Sequence, residues 1–392
     1  MMSCRLNILR LASASRSVNL LDSSKNRILN SHGLRRLQSS NSGSAKGGGL
    51  RTVLVATAVG GTIGASYSYY KSQNLKKAIL NSEEDGLPVI WKELPHHRIS
   101  REVVNSDKSL EIYLFQYPTC PFCCKVRAFL DYNGLSYNVI EVNPIRKTEL
   151  KWSDYRKVPI LLVKVDEGYL QLNDSSVIVS VLSTYLNDTS TKLTDVVKFY
   201  PNIAFMDDDG TIKKEVLNRY HVMYHGQQSE SASKRIVDER NSRKWADNVL
   251  VHMLSPNVYR TREEAIESFE WFSKVGEWDK NFSSWEVTSI VYLGSTVMYW
   301  LGKRLKKKYN LKSDVRESLY DSCNQWLKLL NAKGTTFHGG SRPDLADLAV
   351  FGVLSSIEGC SAFGDLRKKT KLSGWYDAMK SSVALHDGQL AR

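Results

Sequence analysis

Two cysteines at the junction between a short strand and a helix constrain this chain more than any other feature. Ile112-Tyr113-Leu114-Phe115 is apolar and reads as a strand. The run Tyr117-Pro118-Thr119-Cys120-Pro121-Phe122-Cys123-Cys124-Lys125 follows, and Val126-Arg127-Ala128-Phe129-Leu130 then reads as a helix stopped by Gly134. A C-x-x-C pair at such a turn, inside a βαβ pattern, is a thiol-chemistry motif. Cys120 falls at the helix N-terminus, where unpaired backbone N–H groups and the helix dipole favour a thiolate. Such positions lower a cysteine pKa from about 8.5 to roughly 3.5–7.5. Pro121 suits the first helical position, since its missing N–H would be unpaired there anyway, and Lys125 and Arg127 add positive charge nearby. Zinc ligation would need a second Cys/His pair, and none with that spacing occurs in the chain.

The segments around the motif extend the pattern. Tyr137–Val142 is a second strand, Arg146–Tyr155 holds a short helix, Val158–Val163 and Gly168–Leu172 are two more strands, and Asp174-Ser175-Ser176 opens a helix running through Tyr185. This β-α-β-α-β-β-α order is the thioredoxin-like α/β arrangement, assigned to residues 105–187. Past Asn187-Asp188-Thr189-Ser190 the period changes. Ser233–Leu254, Thr261–Lys274, Ser284–Tyr309, Val315–Leu330 and Asp344–Glu358 are helical, with Asp344 as N-cap and Asp347 closing a carboxylate form of the capping box. An all-α second domain is therefore expected over 188–392. Residues 205–240 read as irregular, and the tail beyond Trp375 carries no clear signal. The helix face Val287, Val291, Val297, Met298 and Leu301 suits either core packing or the wall of a lipid-binding cleft.

Charge bears on the N-terminus rather than on the folded part. The chain carries a formal +13, but residues 1–51 hold nine Lys/Arg against the single acid Asp22, which accounts for most of it. No basic stripe interleaved with aromatics follows, so nucleic-acid binding is not indicated. The basic, Ser-rich segment 1–51 has the composition of a targeting peptide or a disordered basic tail. Thr52–Tyr70 then gives 19 residues without a charge, flanked by Arg51 and by Lys71, Lys76 and Lys77, with Tyr67, Tyr69 and Tyr70 where interfacial aromatics belong. As a helix it would span about 28 Å, close to a bilayer's hydrocarbon thickness, so a single membrane anchor is expected at 52–70 and a linker at 71–104. Six scattered or clustered cysteines in 392 residues do not make a disulfide scaffold, and a reducing compartment fits them best.

Three separated pieces of the small domain combine into one binding hypothesis. The first is Cys120-Pro121-Phe122-Cys123. The second is Val158-Pro159: in thioredoxin-like folds a proline before this strand is cis and faces the thiol. That leaves the Val158 backbone free to pair with an extended peptide. The third is Asp174-Ser175 at a helix N-terminus, where N–H groups and the hydroxyl suit a carboxylate and Asp174 suits an ammonium. Glutathione presents a thiol, an extended backbone and a γ-glutamyl end carrying both groups.

These residues carry a family resemblance. The small domain resembles glutaredoxins, and with its helical partner the chain resembles the glutathione transferase superfamily. More narrowly, CPFCCKVRAFLDYNGLSYNVIEVNP, YRKVPILLV, QLNDSSVIVS, KWADNVLVHMLSPNVYRT and RPDLADLAVFGVL, spread over roughly residues 105–380, are similar to the membrane-associated prostaglandin E synthase type 2 family. The resemblance implies isomerisation of prostaglandin H2 to prostaglandin E2. Cys120 would be the catalytic thiol and Tyr117 the tyrosine that hydrogen-bonds it. Phe122, Val158, Pro159, Asp174 and Ser175 would hold glutathione, and Cys123 would be a second, dispensable thiol. It also implies haem bound only with glutathione, its iron taken by the glutathione sulfur. Arg304 and Lys308, one helical turn apart in a basic run, are then candidates for the propionates or simply a solvated helix end. A homodimer, attached through the N-terminal segment to Golgi, perinuclear or mitochondrial membranes, is expected.

Two other functions fit the motif. A glutathione-dependent thiol-disulfide oxidoreductase would use the same CPFC, and a non-catalytic glutathione- or haem-binding membrane protein would keep the fold alone. Cys124, directly after the motif, is an additional thiol able to pair or react.

Overall fold

The computed structural model describes residues 88–95, 98–206 and 212–391. The basic segment 1–51 and the apolar run 52–70 lie outside the described residues. Among the described residues no helix is long and apolar enough to cross a membrane.

Alternation along the strands decides how the sheet is clothed. In β3 (Ile112–Gln116), Ile112 and Leu114 face one side while Tyr113 and Phe115 face the other; β5 (Ile160–Val165) repeats this with Leu161 and Val163 against Ile160 and Leu162. β3 pairs in parallel with β4 (Tyr137–Glu141) and antiparallel with β5, which pairs antiparallel with β6 (Gly168–Asn173). Two short edge strands close the sheet: β1 (Ile90–Trp91) against β6 and β2 (Arg101–Val103) against β4. The order is β1-β6-β5-β3-β4-β2. The stretch read as a linker thus supplies both edges.

The first face is covered by α1 (Pro121–Tyr132) and α2 (Ser175–Asn187), and its apolar core continues without a break into the helical region, through Leu250, Leu254, Trp326, Val353, Phe363 and Tyr376. The second face is covered by the segment between β4 and β5. There the expected helix over Arg146–Tyr155 shrinks to a 3-10 turn at Thr148–Leu150. The Asn143 side chain accepts from the N–H groups of Ile145 and Arg146, and Lys147 sits at φ 47°, so local polar bonds replace a helical ladder. Trp152 and Tyr155 pack from this loop onto the sheet beside Phe115 and Ile160.

The hairpin β7 (Asn202–Met206) and β8 (Ile212–Val216) occupies part of the stretch read as irregular. α3 (Glu230–Trp245) follows, runs through a π-helical turn at Ala246–Leu250 and continues as α4 (Val251–Val258). Next come α5 (Arg262–Val275), α6 (Ser284–Ser289), a second π-helical turn at Ile290–Gly294, α7 (Ser295–Lys308) and α8 (Val315–Lys333). α9 (Leu345–Ser355) carries the Asp344/Asp347 capping box expected from the sequence. α10 (Ser361–Lys369) and α11 (Leu372–Ala384) complete the region. The tail after α11 is ordered against α1, the Gly388 N–H donating to Tyr132 O at 3.0 Å.

α9 crosses α1 at close range because Gly352 has no side chain. A Cβ there would lie 2.5 Å from the Lys125 Cα.

Candidate functional site

Cys120 is the N-cap of α1, with Pro121 in the first helical turn and the Cys120 carbonyl accepting from Cys124 N–H at 2.8 Å. It is half-buried, while Cys123 and Cys124 are buried. Its thiol is pulled down to about 7, first by a hydrogen bond from the Cys123 thiol, against burial, then by the Cys123 and Phe122 N–H groups and the Arg127 charge. Burial pushes the Cys123 thiol well up, and the neighbouring Cys120 charge adds to this. The pair thus divides into one thiolate and one thiol, titrating together.

Arg127 holds the floor of the site. Its guanidinium donates to Pro118 O at 2.7 Å, to Gln116 Oε1 at 2.6 Å and to Cys124 Sγ at 3.1 Å. Gln116 in turn donates to Glu141 Oε1 at 2.8 Å. Arg127 therefore anchors the Tyr117–Cys120 turn as well as supplying charge. Cys124, read as able to react, donates to Pro118 O at 3.3 Å and is kept a thiol by burial. Lys125 departs from the expectation too. It turns away from the thiol, is buried, and pairs with Asp247 and with Ser176 Oγ.

Tyr117 is half-buried beside the cysteines; burial, then the charges on Cys120 and Cys123, push its hydroxyl up to about 12. The hydroxyl makes no hydrogen bond to the Cys120 sulfur among the described residues, so its influence there is through space. Phe122 lies under the Lys125 ammonium, 5.4 Å from its ring centroid. The Val158–Pro159 peptide is cis, and Val158 makes no backbone hydrogen bond to other described residues, which leaves that edge open.

Asp174 caps α2, its Oδ1 accepting from Ser176 N–H at 2.9 Å, and it does so at φ 70°, in the left-handed region that a non-glycine residue occupies at a cost. Its other oxygen meets Arg219 at 2.8 Å. Asp174 is thus committed to a guanidinium, so an incoming ammonium would share it. Ser175 is buried and lines a small cavity with Lys125, Ser176 and Arg243. Tyr155 lies near this end; burial, then the Asp174 charge, raise its hydroxyl to about 12, with smaller contributions from both motif cysteines. Sequence reading missed Arg219, Tyr155 and Asp247. Arg219 follows the hairpin in a stretch with no periodicity, and Asp247 looks like any polar position of a helix.

Asp247 sits in the π-helical turn after α3, a backbone irregularity often found at functional sites. Besides Lys125 it accepts from Ser176 Oγ at 2.6 Å and Tyr220 Oη at 3.0 Å. Burial opposes its charge, yet Lys125 and these donors hold the carboxyl below the usual range. The helix bearing the thiol and the helix opening at Asp174 therefore meet at one carboxylate of the helical region. Arg304 and Lys308 are exposed on α7 and pair with no carboxylate among the described residues. Among the described residues no contact joins them to Cys120.

Residues 114–186 match the family model of the glutathione S-transferase N-terminal domain. A protein of Danio rerio named prostaglandin E synthase 2 is 44% identical over 299 residues, which is 74% of this chain and 76% of the relative. The Mus musculus protein of the same name is 44% identical over 278 residues, 70% of this chain and 71% of the relative. Among solved structures, rice GST1 in complex with glutathione aligns at 16% identity with a TM-score of 0.38, over 70% of this chain and 91% of that one.

Proposed function

The chain belongs to the prostaglandin E synthase 2 family, and from that premise we propose that it isomerises the cyclic endoperoxide prostaglandin H2 to prostaglandin E2 through the Cys120 thiolate. The observation that carries the reading is Cys120 itself: a half-buried sulfur at a helix N-cap, its pKa drawn to about 7, beside a partner thiol that stays protonated. The O–O bond of the endoperoxide is weak and electrophilic toward a soft nucleophile. Cys120 sulfur attacks the oxygen on C9, forming S–O as O–O breaks, and the C11 oxygen leaves and takes a proton. Loss of the C9 hydrogen as a proton then forms the ketone and expels the thiolate. No net oxidation occurs, so no disulfide is required.

Glutathione would lie along the open Val158 edge, with its γ-glutamyl end toward Ser175 and the shared Asp174 carboxylate. Phe122 and Pro159 would frame it. Arg304 and Lys308 would hold the propionates of a haem bound with glutathione, which would supply chemistry that breaks the endoperoxide down. Attachment through residues 52–70 and a homodimer belong to the same proposal; carbonate extraction of membranes and sedimentation of the full chain test them.

The test is prostaglandin H2 turnover by the purified full chain with and without glutathione. Cys120→Ser should abolish prostaglandin E2 formation and Cys123→Ser should be mild. Full activity in Cys120→Ser would overturn the reading. The Cys123 thiol hydrogen-bonded to the Cys120 sulfur also suits a thiol-disulfide oxidoreductase, and equal losses in both variants, with mixed-disulfide reduction by the wild type, would favour that instead.

A further inference from the structure

The face of α6 and α7 expected to be core, or the wall of a cleft, divides in two. Ile290 and Val291 are buried, and Val287 and Met298 pack beside them against Phe269 and Trp278. Val297 and Leu301 turn outward instead. They join Trp285, Tyr292, Leu293 and Trp300 in an apolar strip in which Trp285 is 64%, Leu293 68%, Val297 63% and Trp300 54% exposed. Scattered exposed apolar residues need no explanation, but six on the outer side of one continuous helical segment form a patch.

Its charge is one-sided. From Val287 to Lys312 the chain has six Lys/Arg and no acid. Of these, Lys303, Arg304, Lys307 and Lys308 are exposed at the end of α7 and pair with no carboxylate among the described residues. Lys303 lies 4.4 Å from the Tyr299 ring centroid and 5.2 Å from that of Trp300, so its stem covers aromatic surface while its ammonium faces outward. Aromatic and aliphatic residues on an outer helix face, ending in unpaired cations, are the pattern of a helix lying in a membrane interface. A second copy seated on this strip would desolvate four cations with no acid on the same face to receive them.

We propose that the outer face of α6–α7 docks in the plane of an anionic bilayer, with Trp285, Tyr292, Leu293, Val297 and Trp300 at the headgroup boundary and Lys303 and Lys307 on lipid phosphates. This contact is separate from the expected anchor at 52–70 and does not depend on the catalytic reading.

The tryptophans make it measurable. All nine lie among the described residues, and only Trp285 and Trp300 are exposed; the 52–70 segment has none. Full-length protein would be mixed with vesicles of brominated phosphatidylcholine, with or without phosphatidylserine, and tryptophan quenching read against vesicle flotation. Wild type should be quenched most on the anionic vesicles. Trp285→Phe with Trp300→Phe should float equally and lose the quenching. Lys303→Glu with Lys307→Glu should weaken docking by roughly fivefold or more per lysine at low salt. Each variant is checked for an unchanged urea midpoint. Flotation of wild type without quenching, quenching that survives in the Phe variant, or quenching that fades on dilution at constant lipid (a second copy as occupant) would overturn the proposal.

Discussion

Replacing Asp247 by alanine should destabilise the fold far more than loss of an exposed charge, and the structure sets the size. Lys125 is 3% and Asp247 6% exposed, so the pair is shielded from water. The carboxylate also receives the Ser176 and Tyr220 hydroxyls. Without it, the Lys125 ammonium keeps the Ser176 oxygen, at 3.1 Å, and the Phe122 ring face, and no counter-charge. Breaking a buried pair from one side costs about 3–5 kcal/mol, because the surviving charge stays desolvated, whereas replacing both partners by apolar groups is often nearly neutral. Asp247→Ala should therefore lose about 3–5 kcal/mol in urea unfolding, and Lys125→Met with Asp247→Leu should recover most of it. The pH dependence has a definite sign. The Asp247 carboxyl titrates lower folded than unfolded. Its contribution is full above the unfolded value of about 3.9 and drains away as the pH falls from there through the folded one. Asp247→Ala should thus flatten the acid limb of stability against pH. A loss under about 1 kcal/mol, or a double variant as unstable as the single, would refute the reasoning.

Iodoacetamide alkylation of Cys120 should follow a titration centred near pH 7, rising with pH as the thiolate forms, and Cys123→Ala should move it upward by removing the largest lowering influence; an unmoved midpoint would reject the pairing. Arg127→Gln should raise the Cys120 midpoint and loosen the Pro118 turn, while Arg127→Lys should restore charge better than geometry, separable by comparing alkylation midpoint with prostaglandin H2 turnover. Gly352→Ala forces a methyl to within 2.5 Å of the Lys125 backbone and should cost about 1–3 kcal/mol in thermal or urea unfolding; an unchanged midpoint would mean that α9 and α1 can part freely.

What was legible in the chain was local. The strand, turn and helix around Cys120, the N-cap Asp174 and the Asp344/Asp347 box each depend on residues within a few positions, and each stands where short-range chemistry puts it. The helix expected after β4 failed because Asn143 and Lys147 offered the backbone a competing arrangement. The edge strands escaped notice because two- and three-residue segments have no readable period. The partners of the site lay beyond reach for a different cause. Lys125 and Asp247 are 122 positions apart, Asp174 and Arg219 45, and nothing in spacing says which lysine turns inward. From the sequence Lys125 adds positive charge near the thiol, because a lysine is seldom buried without a partner and the partner here is remote in the chain.

That inward lysine limits how the protein can be dissected. A thioredoxin-like module cut away after α2 would carry an ammonium on the back of its thiol-bearing helix and lose the carboxylate that receives it, along with the glycine-backed surface of α9. Here the reactive half and the helical half share one buried ion pair and one apolar core, so a variant in either is read out in both.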